Sequence, residues 1–171
     1  MSEEKKAAAT RYHVKTLLET ADRLFMQYGY DGMNMNMLAK EAGYSKATVY
    51  VYMKSKDEIV RLLCIERLKL LRKEFSVILK NGDSTDDMFS SVRDVLDEFA
   101  AEDGTYFDFI CKSRFADELS DASDSEKELS SLVNGILDDL TALAPTDELK
   151  RRWYAYYGSK MTAKLFAPSK K

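Results

Sequence analysis

Lys46 and Thr48 carry side-chain donors that can read DNA. Lys46 can donate to guanine O6 or N7, and Thr48 can bond a base or a phosphate. Ala47 and Val51, interleaved with them, can meet a thymine methyl group. Side chains of these types work together only when one helix carries them into the major groove. The residues just upstream supply the means. Ala39, Gly43 and Val49 stand at relative positions 1, 5 and 11 of a helix-turn-helix, in which a short helix ends in a tight turn and a second crosses it steeply. Ala39 is small enough to let the helices approach, Gly43 can take the positive φ that ends the first, and Val49 anchors the second. Ser45 is suited to cap the second helix through its hydroxyl. A recognition helix presents its N-terminal residues to base edges, which here are Lys46, Ala47, Thr48 and Val51.

The flanks extend the pattern. Ala21, Leu24-Phe25 and Gly29-Tyr30 precede Leu38-Ala39 and Ala42-Gly43; Ser45, Thr48, Tyr50, Tyr52 and Ser55-Lys56 follow. Over roughly residues 10–65, about a third of the chain, this resembles the N-terminal domain of the TetR/AcrR family of bacterial transcriptional regulators. A generic helix-turn-helix lacks both the leading LF…GY run and the trailing Y-x-Y-x-x-S-K run. Three positions depart from the family pattern: Ala47 replaces a usual Gly, Met53 a common Phe, and Met33 a Thr that often begins the second helix, leaving Asn34 or Asn36 to cap it. The resemblance implies that Tyr50 and Tyr52 bond phosphates and that Lys56, at the start of the fourth helix, reaches another. It also implies a body with a small-molecule effector pocket between helices four and eight, and a homodimer on a pseudo-palindromic operator, with heads about 34 Å apart.

Charge is distributed as that reading requires. The chain as a whole carries −3, but residues 1–56 hold nine Lys/Arg against six Asp/Glu, a balance of +3, and residues 57–171 hold seventeen against twenty-three, a balance of −6. A basic head on an acidic body fits contact with phosphate by the head alone. Lys5, Lys6 and Arg11 precede the expected first helix, as a minor-groove arm or as a disordered tail.

Only two Pro and seven Gly interrupt long stretches of helical periodicity, so the expected class is all-α. Thr10 is the expected cap of helix one. Helix two is expected from about Met35 to Glu41 and helix three from about Lys46 to Met53. Ser55-x-x-Glu58 is a capping box that opens helix four, expected to run to about Leu79. Ser84-x-x-Asp87 opens helix five, which Gly104 breaks. Helix six is placed at Tyr106 to about Phe115, and Ser120–Ser125 reads as an exposed turn. Helix seven carries Leu129 to Leu143 on an amphipathic pattern, and Pro145 and Thr146 set up helix eight. The expected architecture is thus a three-helix DNA-binding domain, 1–56, followed by a helical effector-binding and dimerisation domain, 57–171. No flexible linker separates them, so helix four is a stiff lever between the two.

The body is rich in Phe75, Phe89, Phe99, Phe109 and Trp153, an aromatic set that can line a pocket for a flat or lipophilic effector or simply form core. Arg93 and Arg114 can neutralise an anionic effector or lie on the surface. In helix eight the small row Ala155, Ser159 and Ala163 permits close helix contact and is the expected dimer face. Related regulators add a further long helix beyond helix eight; the sequence stops at Lys171 before such a helix, as either a short member or a truncated chain would.

Other classes fit poorly. Cys64 and Cys111 lie 47 residues apart with no Cys or His close by, so neither a zinc site nor a disulfide is expected. They read as small buried residues in a reducing cytoplasm. No metal or cofactor is expected. No run of apolar residues reaches membrane-spanning length, and MSEEKKAAATRY lacks the apolar core of a signal peptide. A single His, His13, and carboxylates placed at helix starts or on solvent faces give no catalytic cluster, so an enzyme is not expected. A ligand-responsive transcriptional repressor is the leading reading. The alternative is a helical interaction or ligand-sensing module that no longer binds DNA specifically.

Overall fold

The computed structural model describes residues 3–82, 84–112 and 122–143, and every regular element among them is a helix. These are α1 (Glu3–Gly32), α2 (Met35–Ala42), α3 (Lys46–Tyr52), α4 (Lys56–Asn81), α5 (Thr85–Glu102), α6 (Gly104–Lys112) and α7 (Asp124–Leu143). The all-α class stands. Trp153, Arg114 and the expected dimer row Ala155, Ser159 and Ala163 lie outside the described residues.

Helix starts follow from side chains that satisfy the free N–H groups of the first turn. Asn34 caps α2, its Oδ1 accepting from the N–H groups of Asn36 and Met37 at 3.1 and 3.0 Å. Ser45 caps α3 by accepting from the Thr48 N–H at 3.1 Å. At α4 the Glu58 N–H donates to Ser55 Oγ at 3.1 Å, while the Glu58 carboxylate reaches one residue beyond the cap, to the Lys54 N–H at 3.0 Å. At α5 Asp87 is a methylene shorter than Glu. Its N–H still donates to Ser84 Oγ, but its carboxylate takes the Ser84 hydroxyl at 2.6 Å. A third box, Ser123-x-x-Glu126, opens α7, with the Ser123 N–H donating to Glu126 at 2.8 Å. It lies inside the stretch expected to be a turn, and its S-x-x-E spacing is the signal that marks it.

Helix one differs from expectation. Thr10 caps nothing; it lies inside α1, which begins at Glu3. Three consecutive alanines propagate the helix backwards, and Glu3 and Glu4 complement the positive end of its dipole. Lys5, Lys6 and Arg11 are therefore exposed residues of a helix, neither an extended arm nor a disordered tail.

Packing divides the chain after Glu66, inside α4, into Met1–Glu66 and Arg67–Lys171. In the first unit the core is Leu17, Ala21, Leu24 and Phe25 of α1, Leu38 and Ala39 of α2, Val49 of α3, and Ile59, Val60 and Leu63 of α4. Met33 and Met53, two of the departures from the family pattern, are buried beside them, so each contributes core volume at its position. Burying this many aliphatic and aromatic side chains is the main stabilising term, about 1.5–3 kcal/mol for each large one.

In the second unit Phe75 of α4, Phe89, Val92, Leu96 and Phe99 of α5, Tyr106 and Ile110 of α6, and Leu129, Ile136 and Leu140 of α7 are buried. Ion pairs rim this core: Arg67–Asp103 at 3.6 Å, Lys69–Glu128 at 2.9 Å and Arg72–Asp139 at 3.4 Å. Asp139 therefore faces α4, not open solvent. Among the described residues no helix is long and apolar enough to cross a membrane, and no group of His, Cys, Asp or Glu could hold a metal ion.

Candidate nucleic-acid interface

The turn between α2 and α3 is built as the spacing requires. Gly43 has φ 72 and ψ 26, the left-handed conformation that ends α2 and turns the chain. The N–H of Tyr44 then reaches back to the Ala39 carbonyl at 2.9 Å. Ala39 is buried where the helices meet, and Val49 is wholly buried, which fixes the rotation of α3 about its axis. With Val49 inward, Lys46, Ala47, Tyr50 and Val51 face outward together. Val51 is 76% exposed. Tyr50 is 45% exposed, and the Lys46 ammonium stands 6.0 Å from the centre of its ring. The outer face of α3 thus carries one cation, one phenol and two apolar groups.

The other expected contacts lie differently. Thr48 is half-buried, with its hydroxyl 2.8 Å from Ser45 Oγ, so it supports the cap of α3 as well as flanking the outer face. Tyr52 is half-buried and turned toward α1, its ring 5.1 Å from that of His13 and tilted 30° to it. Lys56 is half-buried too. Its ammonium donates to the Tyr30 carbonyl at 2.9 Å, and its two remaining donors are what it can offer a phosphate.

Two functional groups went unread in the sequence. Tyr30 follows Gly29, whose φ of 67 and ψ of −177 break the run of α1. The kink turns Tyr30 toward the start of α4, where its hydroxyl donates to the Asp57 carboxylate. That bond, then burial, then the charge of Asp57 push the Tyr30 phenol up to about 12, so it stays a donor. The second is His13, whose Nδ1 is 2.7 Å from the Tyr44 hydroxyl. Its standing as the single histidine was the only sequence signal for it.

Of the expected effector residues, Phe75, Phe89 and Phe99 are in the buried core of the second unit and Phe109 is half-buried. Arg93 is paired with its neighbour Asp94 at 2.9 Å.

Residues 17–63 match the profile of bacterial regulatory proteins of the tetR family. Through this head, the chain is similar to the tetR family. The matched segment runs from Leu17, the first buried residue of α1, through the helix-turn-helix to Leu63 of α4. An uncharacterized HTH-type transcriptional regulator of Bacillus subtilis, YhgD, is 33% identical over 60 residues, 35% of this chain and 31% of that protein. The match thus spans under a third of the relative's length. Solved structures extend the likeness beyond the tetR-family head. FadR from Bacillus subtilis, in complex with stearoyl-CoA, superposes with a TM-score of 0.60 at 17% identity, over 92% of this chain and 89% of that one. The TetR-family regulator PfmR from Thermus thermophilus does so with 0.59 at 19% identity, over 88% and 79%. At those identities the shared property is the fold.

Proposed function

We propose that this protein is a DNA-binding transcriptional regulator, a ligand-responsive repressor that its effector releases from DNA, and that it binds a pseudo-palindromic operator as a homodimer. The observation that carries the reading is the outward face of α3, where Val51, Tyr50 and Lys46 are held exposed by the burial of Val49. An exposed valine beside a lysine on a well-anchored helix has an occupant of the right chemistry in the major groove. Residues 1–56 meet the DNA, with Lys46, Ala47, Thr48 and Val51 at base edges and Tyr50, Tyr52 and Lys56 at phosphates. Residues 57–171 bind the effector and the second copy, the latter through Ala155, Ser159 and Ala163. The protein acts in the cytoplasm, where its DNA is, and no catalytic step is part of this reading.

A lipophilic effector suits a unit whose core is built from Phe75, Phe89 and Phe99. The B. subtilis FadR of similar fold holds stearoyl-CoA, so a long-chain acyl thioester is the first compound to test. An effector releases DNA only if it binds the non-DNA conformation more tightly, and α4, shared by both packing units, is the element through which that preference reaches the head.

The deciding experiment is fluorescence anisotropy with duplexes from the region upstream of the protein's own gene. The expected result is one preferred pseudo-palindrome, bound as two copies, with affinity falling steeply as salt rises. Equal affinity for every duplex would favour a module that has lost specific binding. Stearoyl-CoA is then added to the complex, and release supports the effector class.

A further inference from the structure

The ring cluster at His13 is not used by the base-reading face. His13 lies on α1 and is faced from its own helix by Tyr12, ring centroids 5.7 Å apart. From the turn between α2 and α3 it is faced by Tyr44, whose hydroxyl is 2.7 Å from Nδ1, and from α3 by Tyr52, whose ring centroid is 5.1 Å away. Tyr44 immediately precedes Ser45, the cap of the recognition helix, and Tyr52 is its last residue. One imidazole is therefore set beside the residue before the cap of that helix and beside its last residue.

We propose that His13 is a positioning residue for phosphate contacts made by Tyr44 and Tyr52, and that a proton on its Nδ1 strengthens them, so that DNA affinity rises on acidification. The proposal rests on the DNA-binding reading above. A phenol has one proton to donate. In the neutral tautomer that carries its proton on Nε2, the bare Nδ1 accepts the phenol proton and Tyr44 meets an incoming phosphate with lone pairs only; the neutral ring can adopt either tautomer, whereas the charged ring can only donate. Once Nδ1 carries a proton the direction reverses: the ring donates to the Tyr44 oxygen, and the hydroxyl proton is free for a phosphate oxygen. Phosphate accepts and does not donate, so it selects the second arrangement. The step takes one proton from solvent onto the ring and makes no covalent bond. The positive charge then attracts phosphate, and the face of Tyr52 can lie against a cation at low cost. By reciprocity, DNA that prefers the protonated ring raises the ring's affinity for its proton.

The chain is well suited to a test, because His13 is its single histidine and histidine is the side chain whose ordinary pKa lies between pH 5 and 8. Burial pushes the Cys64 thiol up to about 12, and the Asp57 bond pushes the Tyr30 phenol up to about 12, so neither titrates in that window.

Anisotropy with a synthetic mixed-sequence duplex of about three helical turns, at constant ionic strength, reads the effect. Wild type is expected to bind about two- to threefold tighter per head near pH 6 than near pH 8. His13→Gln keeps a neutral donor and acceptor and is expected to give a flat profile; Tyr44→Phe is expected to lose most of the slope. Proton NMR of the lone imidazole C2–H in unmodified protein needs no variant, and its midpoint is expected to move up on adding the duplex. Binding that is equal at both pH values, or a slope that persists in His13→Gln, would overturn the proposal and leave the regulator reading intact. No binding at either pH would overturn both.

Discussion

The ammonium of Lys56 lies 2.9 Å from the backbone carbonyl oxygen of Tyr30 and 3.9 Å from the centre of the Tyr30 ring. Together with the bond from the Tyr30 hydroxyl to Asp57, this ties the end of α1 to the first turn of α4 by three separate interactions. The Gly29-Tyr30 pair and the Ser55-Lys56 pair are thus two halves of one contact, 26 residues apart in sequence. Lys56→Ala removes a charged hydrogen bond and a cation–π contact from a half-buried ammonium. The expected loss is about 1–2 kcal/mol of head stability, read by denaturant melts of the variant. DNA affinity should weaken alike for all sequences; a change in preferred sequence would contradict the placement of Lys56 away from base edges.

Lys46 is the exposed cation at the head of α3, so Lys46→Ala should relax base preference in a selection from random duplexes, costing about 1–3 kcal/mol on the best site and little on others. Tyr50→Phe should weaken every duplex alike, by about 1 kcal/mol for a lost phosphate bond. Uniform weakening by Lys46→Ala would move that residue from base readout to phosphate contact.

Gly29 and Gly43 have φ of 67 and 72, and a Cβ added at either meets nothing within 4 Å. The cost of Gly43→Ala is therefore backbone strain alone, about 1–2 kcal/mol. Gly43→Asn should cost less, since Asn tolerates the left-handed region. Equal losses in thermal melts would point to a cause other than φ.

Gly135 in α7 lies under Arg72, and a Cβ there would come 2.5 Å from the guanidinium carbon. Gly135→Ala gains about 1 kcal/mol of helix propensity but displaces Arg72 from its partner Asp139. In an Arg72→Ala background nothing is displaced, so the same change should stabilise by the full amount. A double-mutant cycle by urea denaturation checks this, and additivity would show that Arg72 and Gly135 do not compete for space.

Burial pushes the Cys64 thiol from 9.0 up to about 12. A raised folded pKa means that the stability held by the protonated thiol is complete below pH 9 and is lost as pH rises toward 12. Tyr30, raised from 10.0 to about 12, acts in the same direction over its own window. Stability should therefore be insensitive to these groups at neutral pH and fall on the alkaline side. Labelling with a thiol reagent, followed by peptide mapping at Cys64, should be slow at pH 8 in folded protein and fast once it is unfolded. Rapid labelling of folded protein at that pH would contradict the burial.

Much of the local structure was determined by sequence alone. Helix caps and tight turns are local: Asn34, Ser45, Ser55 and Ser84 act on N–H groups two or three residues away, and Gly43 acts on its own φ. Residue type and spacing therefore specify them without any long-range partner. The start of α1 escaped the same reasoning because Thr10 is a good cap in isolation, whereas the glutamates and alanines before it make a continued helix more favourable than a stop. The spacing of Ala39, Gly43 and Val49 already set Val49 inward and Val51 outward; tertiary structure alone decided that Tyr52 turns to His13 while Tyr50 is exposed. Two tyrosines two positions apart on a seven-residue helix look alike in sequence; only the packing of α1 beside α3 separates the exposed Tyr50 from the half-buried Tyr52. The pairings His13–Tyr44 and Tyr30–Lys56 are likewise properties of the packed head. They join residues 31 and 26 positions apart, and no local rule of spacing connects groups that meet only when helices cross.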